Sequence, residues 1–416
     1  MGDDVDDAVA ALAREESGRV LALLAARYDD LDLADDCVQD ALLQAMETWR
    51  AQGIPANRAG WLYTVSRNRI VDQLRRRDTA RRRLASAARD LAADEVSESD
   101  AGESMIQGEG EVGDERLRLM LLCCHPALDV TAQTALTLRL VGGLTTTEIA
   151  AGFLIPEKTL AQRIVRAKRK IREARIPLAV PDDLDSRLDA LHSVLYLIFN
   201  EGYLASDPDA ADLMRVDLAE EAIRLTDLLS SLVDTGETFG LLALELFHRS
   251  RFAARVDPSG ELVTLDQQDR TRWDAALVAR AQDALSSAVA RPGVGPYRIQ
   301  ALIAGIHARA PSSDATDWQT IVELYVILER MSSSPVVQLN RAIAVGMAHG
   351  PQRGLDDLDG IEGLTGQHLW HAARAEMLVR LGRDADARAA FGEALARVRN
   401  PAERRHLQRR VAELRT

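Results

Sequence analysis

Cysteine is scarce: the chain of 416 residues holds three, Cys37, Cys123 and Cys124. Three thiols cannot build a disulfide framework, and they point to a reducing compartment. Long apolar runs are missing too. The longest, such as Val20–Ala26, fall far short of the roughly 18 residues that cross a bilayer. The opening MGDDVDDAVA is acidic where a secretory signal needs a basic and then an apolar segment. A cytoplasmic protein without a membrane anchor is therefore expected. Positive charge is in deficit: 51 Lys and Arg stand against 64 Asp and Glu, a net −13, which excludes a generally basic nucleic-acid coat. Catalytic signatures are absent as well. Cys123-Cys124-His125 has no partners at metal spacing, so a buried structural role is expected. The acids of NEGY (Asn200–Tyr203) and of DQQDRTRWD (Asp266–Asp274) come without a nucleophile, a phosphate loop or an HExxH pair, which suggests a role in packing. No cofactor, metal or enzymatic activity is expected, and the competing enzyme reading would need an active site within 177–330.

What is present becomes visible when the charge is divided along the chain. Residues 1–40 carry −9, 41–91 carry +7, 92–115 carry −9, 116–176 carry +7 and 177–416 carry −9. Two Arg-rich islands thus sit on an acidic chain. The tract 92–115 is rich in Gly, Ser and Glu, with few sizeable apolar residues, and reads as a flexible acidic linker. A second seam falls at Arg175–Pro181, between Pro177 and Pro181. Ala, Leu, Arg and Glu dominate while β-branched alternation is scarce, so an all-α fold is expected. Its parts would be 1–91, 116–176 and a helical 177–416.

The second island has the grammar of a helix-turn-helix. Gly142-Gly143 ends one helix, and Thr145 or Thr146 can cap the next, with Glu148 placed to complete a capping box. A short helix over Thr147–Phe153 gives way to a turn at Leu154–Pro156, and Pro156 suits the start of a helix over Glu157–Ala174. On that helix Leu160, Ile164, Ala167 and Ile171 share one face, which must be buried. Lys158, Thr159, Gln162, Arg163, Val165, Arg166, Arg169 and Lys170 lie elsewhere on its surface. A major-groove reader needs this set: Gln can bond adenine bidentately, while Arg and Lys read guanine or hold phosphates.

The first island, 57–83, places aromatics beside arginines. Leu62, Val65, Ile70 and Leu74 form a stripe that can pack inward. Trp61, Tyr63, Arg67, Asn68, Arg75, Arg76 and Arg77 remain to neutralise phosphates and give unstacked bases a flat partner. Trp61 and Tyr63 also fit a core role. The preceding loop, Arg50–Arg58, contains Gly53 and Pro55. Before it, the helix Leu33–Trp49 carries Asp35, Asp36, Gln39 and Asp40 on a polar face that repels phosphate and suits a basic protein partner.

These stretches resemble the RNA polymerase sigma factors of the extracytoplasmic-function type. LADDCVQDALLQAMETW (Leu33–Trp49) is similar to the region-2 helix that docks on the polymerase clamp. AGWLYTVSRNRIVDQLRRR (Ala59–Arg77) is similar to the helix that melts and reads the −10 promoter element, and residues 144–174 resemble region 4, which reads the −35 element. Ala161 stands where members often place Arg. The resemblance implies binding of core RNA polymerase and promoter DNA, with the Arg50–Arg58 loop and Trp61 holding a flipped base. A stand-alone, ligand-responsive helix-turn-helix regulator is the alternative. The further 240 residues, with YLIFNEGY (Tyr196–Tyr203) and Asp266–Asp274, resemble the subgroup with a tetratricopeptide-like extension. Residues 372–401 match one such unit, closed by Leu381-Gly382 and filled by Ala387, Ala390, Phe391, Ala394 and Leu395. Set back by 33 positions, Ala375, Ala387 and Phe391 fall on Ala342, Gly354 and Leu358, so at least two units are expected to stack. A groove of that kind can take a regulatory protein or peptide, and the extension is expected to modulate activity.

Overall fold

The computed structural model describes residues 2–88, 109–153, 155–181, 183–203, 214–332 and 334–414. Helices account for nearly all regular structure, as the composition implies. Among the described residues there is no strand, only an isolated bridge between Val256 and Leu262. Two compact units divide the chain, Met1–Val194 and Leu195–Thr416.

In the first unit, α1 (Gly2–Tyr28), α2 (Leu31–Gln52) and α3 (Arg58–Ala88) precede a second group: α4 (Glu109–Cys123), α5 (Val130–Leu136), α6 (Thr146–Phe153) and α7 (Glu157–Glu173). Local chemistry sets the boundaries. The Asp30 carboxylate caps α2 by accepting from Leu33 N–H at 2.9 Å. Gly53, at φ 87°, ends α2 with its N–H on Trp49 O, and Asn57 Oδ1 accepts from Gly60 N–H to open α3. Leu33, Ala34, Cys37, Val38, Ala41 and Ala45 of α2 recur at helical spacing and are all buried. Each fully buried leucine, such as Leu24 of α1, contributes about 1.5–3 kcal/mol before conformational entropy is charged against it.

Helix α1 packs on α2, α3 and α4, and also on the turn Thr137–Val141 that precedes α6. Two glycines allow that approach. A Cβ at Gly18 would lie 2.6 Å from Val141 O, and one at Gly143 (φ +72°) would lie 2.0 Å from Ala13 O. The two islands therefore share one packed unit through α1, whereas the charge pattern alone suggests modules joined only by a linker. Residues 92–108 of that expected linker lie outside the described residues. Residues 109–115 do not belong to a linker: they form the first turns of α4. One further expectation fails: Leu74 is 38% exposed and stands outside the buried stripe, while Leu62 and Ile70 are fully buried.

The second unit begins within α8 (Leu184–Tyr203). It continues through α9 (Val216–Leu232), α10 (Gly236–Ser250), α11 (Ala275–Ala290), α12 (Pro296–Arg309) and α13 (Trp318–Met331). Helix α10 is its axis: Leu241 to Phe247 are buried without interruption, enclosed by α9, α11 and α12. Stacked pairs follow: α14 (Pro335–His349) with α15 (Pro351–Asp359), then α16 (His368–Arg380) with α17 (Asp384–Arg397), closed by α18 (Pro401–Glu413). The 33-residue correspondence is visible in the packing, because Ala342 and Ala375, Gly354 and Ala387, and Leu358 and Phe391 are all buried. Leu395 is only partly buried.

Candidate nucleic-acid interface

The helix-turn-helix is built from its caps outward. Glu148 Oε2 accepts from Thr145 N–H at 2.7 Å, and Thr145 Oγ1 accepts from Glu148 N–H at 3.1 Å, so both halves of the capping box form. Helix α6 then runs from Thr146, and Pro156 precedes α7. Burial works to raise the Glu148 pKa, but the hydrogen bonds from Thr145 and the Arg14 guanidinium outweigh it and hold the carboxyl below its ordinary range. A depressed carboxyl stabilises the fold above its unfolded pKa and loses that contribution as pH falls through the folded value. Thr145→Ala should cost about 0.5–2 kcal/mol in a denaturant melt at pH 7. That loss should shrink in acid, where Glu148 is protonated.

Helix α7 turns Leu160, Ile164, Ala167 and Ile171 into the core, all four buried as the spacing requires. Lys158, Gln162, Arg166, Arg169 and Lys170 are exposed, while Thr159 and Arg163 are half-buried at the edges of the same surface. Val165, 64% exposed, gives this face an apolar point that can meet a thymine methyl. Arg166 Nε donates to Gln162 O at 3.2 Å, and Lys170 Nζ donates to Ala127 O.

On α3, Asn68 and Arg75 to Arg77 are exposed, and Tyr63 and Arg67 are half-buried. Trp61 is half-buried as well, edge-on to the buried Trp49 with ring centroids 5.4 Å apart. The ring therefore packs on Trp49 while part of it stays exposed. Arg77 pairs with Asp30 at 3.3 Å. Beside the Arg50–Arg58 loop, a hollow of about 350 Å³ is lined by Leu12, Glu15, Glu16 and Ala56 to Ala59.

The acidic face of α2 is not the open patch that its pattern suggests. Asp35 is buried and forms an ion pair with Lys168 of α7, their side chains 6% and 11% exposed. Arg172 of α7 pairs with Asp32. Gln39 donates to Asp35 at 3.4 Å, and Asp40 pairs with Arg69 of α3 at 3.3 Å. Asp36 alone of the four is exposed with no ion pair among the described residues; burial, with Asp35, Asp32 and Asp40 nearby, raises its pKa against the pull of Lys168. The α2 face thus clasps α7 across 133 positions of sequence. Lys168, Arg172 and Asp32 were not singled out by sequence. Lys168 lies one step from the buried stripe, and no local signal distinguishes it from its exposed neighbours.

All three cysteines are buried. Burial pushes the Cys37 thiol up to about 11 and Cys124 to about 12, so both are protonated and unreactive at neutral pH. The acids of Asp266–Asp274 cap helices: Asp274 accepts from Ala276 and Leu277 N–H to begin α11, and Asp269 accepts from Thr271 N–H. No described helix is long and apolar enough to cross a membrane.

Comparison with known proteins agrees with this geometry. Sigma-70 region 2 matches residues 12–80 and sigma-70 region 4 matches 118–171, while 187–289 match a family of unknown function (DUF6596). An uncharacterized protein of Rhizobium meliloti (strain 1021) is 39% identical over 392 residues, 93% of this chain and 91% of that protein. A probable ECF RNA polymerase sigma factor, SigI of Mycobacterium tuberculosis (strain CDC 1551 / Oshkosh), is 28% identical over 175 residues, 42% of this chain. That match spans 58% of SigI, less than two thirds of its length. No solved structure matches the chain. With sigma-70 regions 2 and 4 both matched and in order, the chain belongs to the sigma-70 family as an extracytoplasmic-function sigma factor carrying a C-terminal helical extension.

Proposed function

We propose that this protein docks on core RNA polymerase through Asp35, Asp36, Gln39 and Asp40 and directs promoter-specific initiation. Trp61, Tyr63, Arg67, Asn68 and Arg75 to Arg77 melt and read the −10 element. Lys158, Thr159, Gln162, Arg163, Arg166, Arg169 and Lys170 read the −35 element. The observation that carries this reading is the capped helix-turn-helix, whose outer face is basic, in one unit with an Arg-rich helix bearing a half-exposed Trp61. The ion pair of Asp35 with Lys168 implies a second feature. The free protein is closed, with its docking face turned onto α7, and core polymerase competes for that face.

Free protein, at net −13 and closed, should bind duplex promoter DNA weakly at physiological salt and well with core polymerase present. In that ternary complex Gln162→Ala should relax base preference by about 1–3 kcal/mol, read by gel shift on −35 variants. Tight specific binding without polymerase would favour the stand-alone regulator instead. The extension, 177–416, acts on the sigma unit or on polymerase through a protein or peptide contact. Truncation after Ile176 separates its two modes in one transcription assay. Raised activity means inhibition in cis, lost activity in a folded fragment means a required contact, and unchanged activity contradicts modulation.

A further inference from the structure

The second unit contains a cavity of about 630 Å³, within the size range that encloses a metabolite. It gathers the two stretches that the transcription reading leaves without a role. Tyr196, Asn200 and Tyr203 reach it from one face of α8, and Trp273 reaches it from the Asp266–Asp274 run. Its walls are aromatic and aliphatic, with Tyr196, Phe247 and Tyr325 among them.

Neutral polar side chains, Asn200, Gln300, Ser332, Ser334 and Asn340, share the lining with three donors that find no acceptor. Arg251, His307 and Trp273 line it, and Arg251 Nε, His307 Nδ1 and Trp273 Nε1 are buried without a hydrogen-bond partner. His307 Nδ1 donates in the tautomer that carries its proton there. Among the described residues no acidic side chain lines the cavity, and no carboxylate pairs with Arg251, Arg255 or Arg270. Arg251 donates to the Tyr203 hydroxyl, and Arg255 lies 3.5 Å over the Tyr203 ring. Arg270 donates to His307 O and lies 4.5 Å over the Trp273 ring. Three guanidinium groups are therefore held close together by aromatic rings and neutral oxygens; among the described residues none is in an ion pair, and Glu403 acts on Arg255 only from outside ion-pair distance. The buried acid Glu245 does not line the cavity, and burial pushes its carboxyl well above the usual range. A buried cation and buried donors lacking acceptors are costly unless something supplies negative charge and acceptor oxygens. We infer that this cavity binds a small organic anion, a carboxylate or phosphate on a planar apolar body, with Arg251 as its charged anchor.

The inference does not rest on the transcription reading, because its test needs neither polymerase nor DNA. Full-length protein is titrated by fluorescence with 8-anilinonaphthalene-1-sulfonate, an aromatic anion, and with N-phenyl-1-naphthylamine, a neutral aromatic of similar body. The expected result is one saturable sulfonate site, displaced by benzoate or phenyl phosphate and not by phenol. The stronger of the two displacers identifies a carboxylate or a phosphate as the natural head group. Arg251→Met should weaken the sulfonate by about tenfold or more, since a charge-assisted hydrogen bond is lost, and should leave the neutral probe nearly unchanged. Arg380→Met, outside this cavity, should change neither. Should Arg251→Met fail to fold by circular dichroism, His307→Phe keeps a ring, removes the donor and carries the same expectation. Absence of a saturable site, equal displacement by phenol, or full sulfonate affinity in the folded variants would overturn it.

Discussion

Lys168→Met should open the sigma unit and tighten its association with core polymerase. The substitution removes the cation from a pair that is 11% and 6% exposed, leaving Asp35 buried and unpaired in the closed form. Such a loss costs about 3–5 kcal/mol, whereas in the open form Asp35 sits in water and loses little. The closed state is therefore penalised selectively, and the equilibrium moves toward the form whose docking face is free. The exposed pair Arg172 with Asp32 is too weak to compensate, because surface ion pairs contribute about 0–1 kcal/mol. Fluorescent probes at Thr64→Cys on α3 and Glu173→Cys on α7 should report a longer distance, the native thiols being buried. Core affinity should rise by about tenfold or more. An unchanged probe distance together with unchanged core affinity would show that the ion pair is no latch.

Trp61→Ala should impair promoter opening more than duplex recognition. Stacking on an unpaired base is worth about 1–3 kcal/mol, so permanganate reactivity in the −10 region should fall by roughly tenfold or more in the polymerase complex. Trp61 also packs edge-on to Trp49, and loss of that pair should take about 0.5–1.5 kcal/mol from the stability of the first unit. Trp61→Phe should restore most of both, because a flat ring remains. A stability loss of several kcal/mol with normal opening in the residual folded protein would make Trp61 a core residue only.

Much of this was legible locally. Thr145 and Glu148 announce a capping box three residues apart, and it forms. Leu160, Ile164, Ala167 and Ile171 announce the buried face of α7, and all four are buried. The 33-residue echo of Ala375, Ala387 and Phe391 also survives as packing. Each is a short-range pattern, fixed by helix geometry. What was not legible depends on contacts between distant residues. Asp35 reads as a solvated charge until α7 is folded against it. Leu74 reads as core by spacing, yet it stays 38% exposed. Residues 109–115 are too acidic and Gly-rich to announce a helix by propensity, yet they open α4. Arg251, His307 and Trp273 are spread over 57 positions and three elements, so their convergence has no sequence signature.

Run-off transcription from a cognate promoter with purified core polymerase, with and without this protein, tests the central claim most directly. The account predicts a discrete transcript only when the protein is added, stronger with Lys168→Met and much weaker with Trp61→Ala. No transcript from any promoter that the protein binds by itself, with no co-elution with core polymerase, would contradict it.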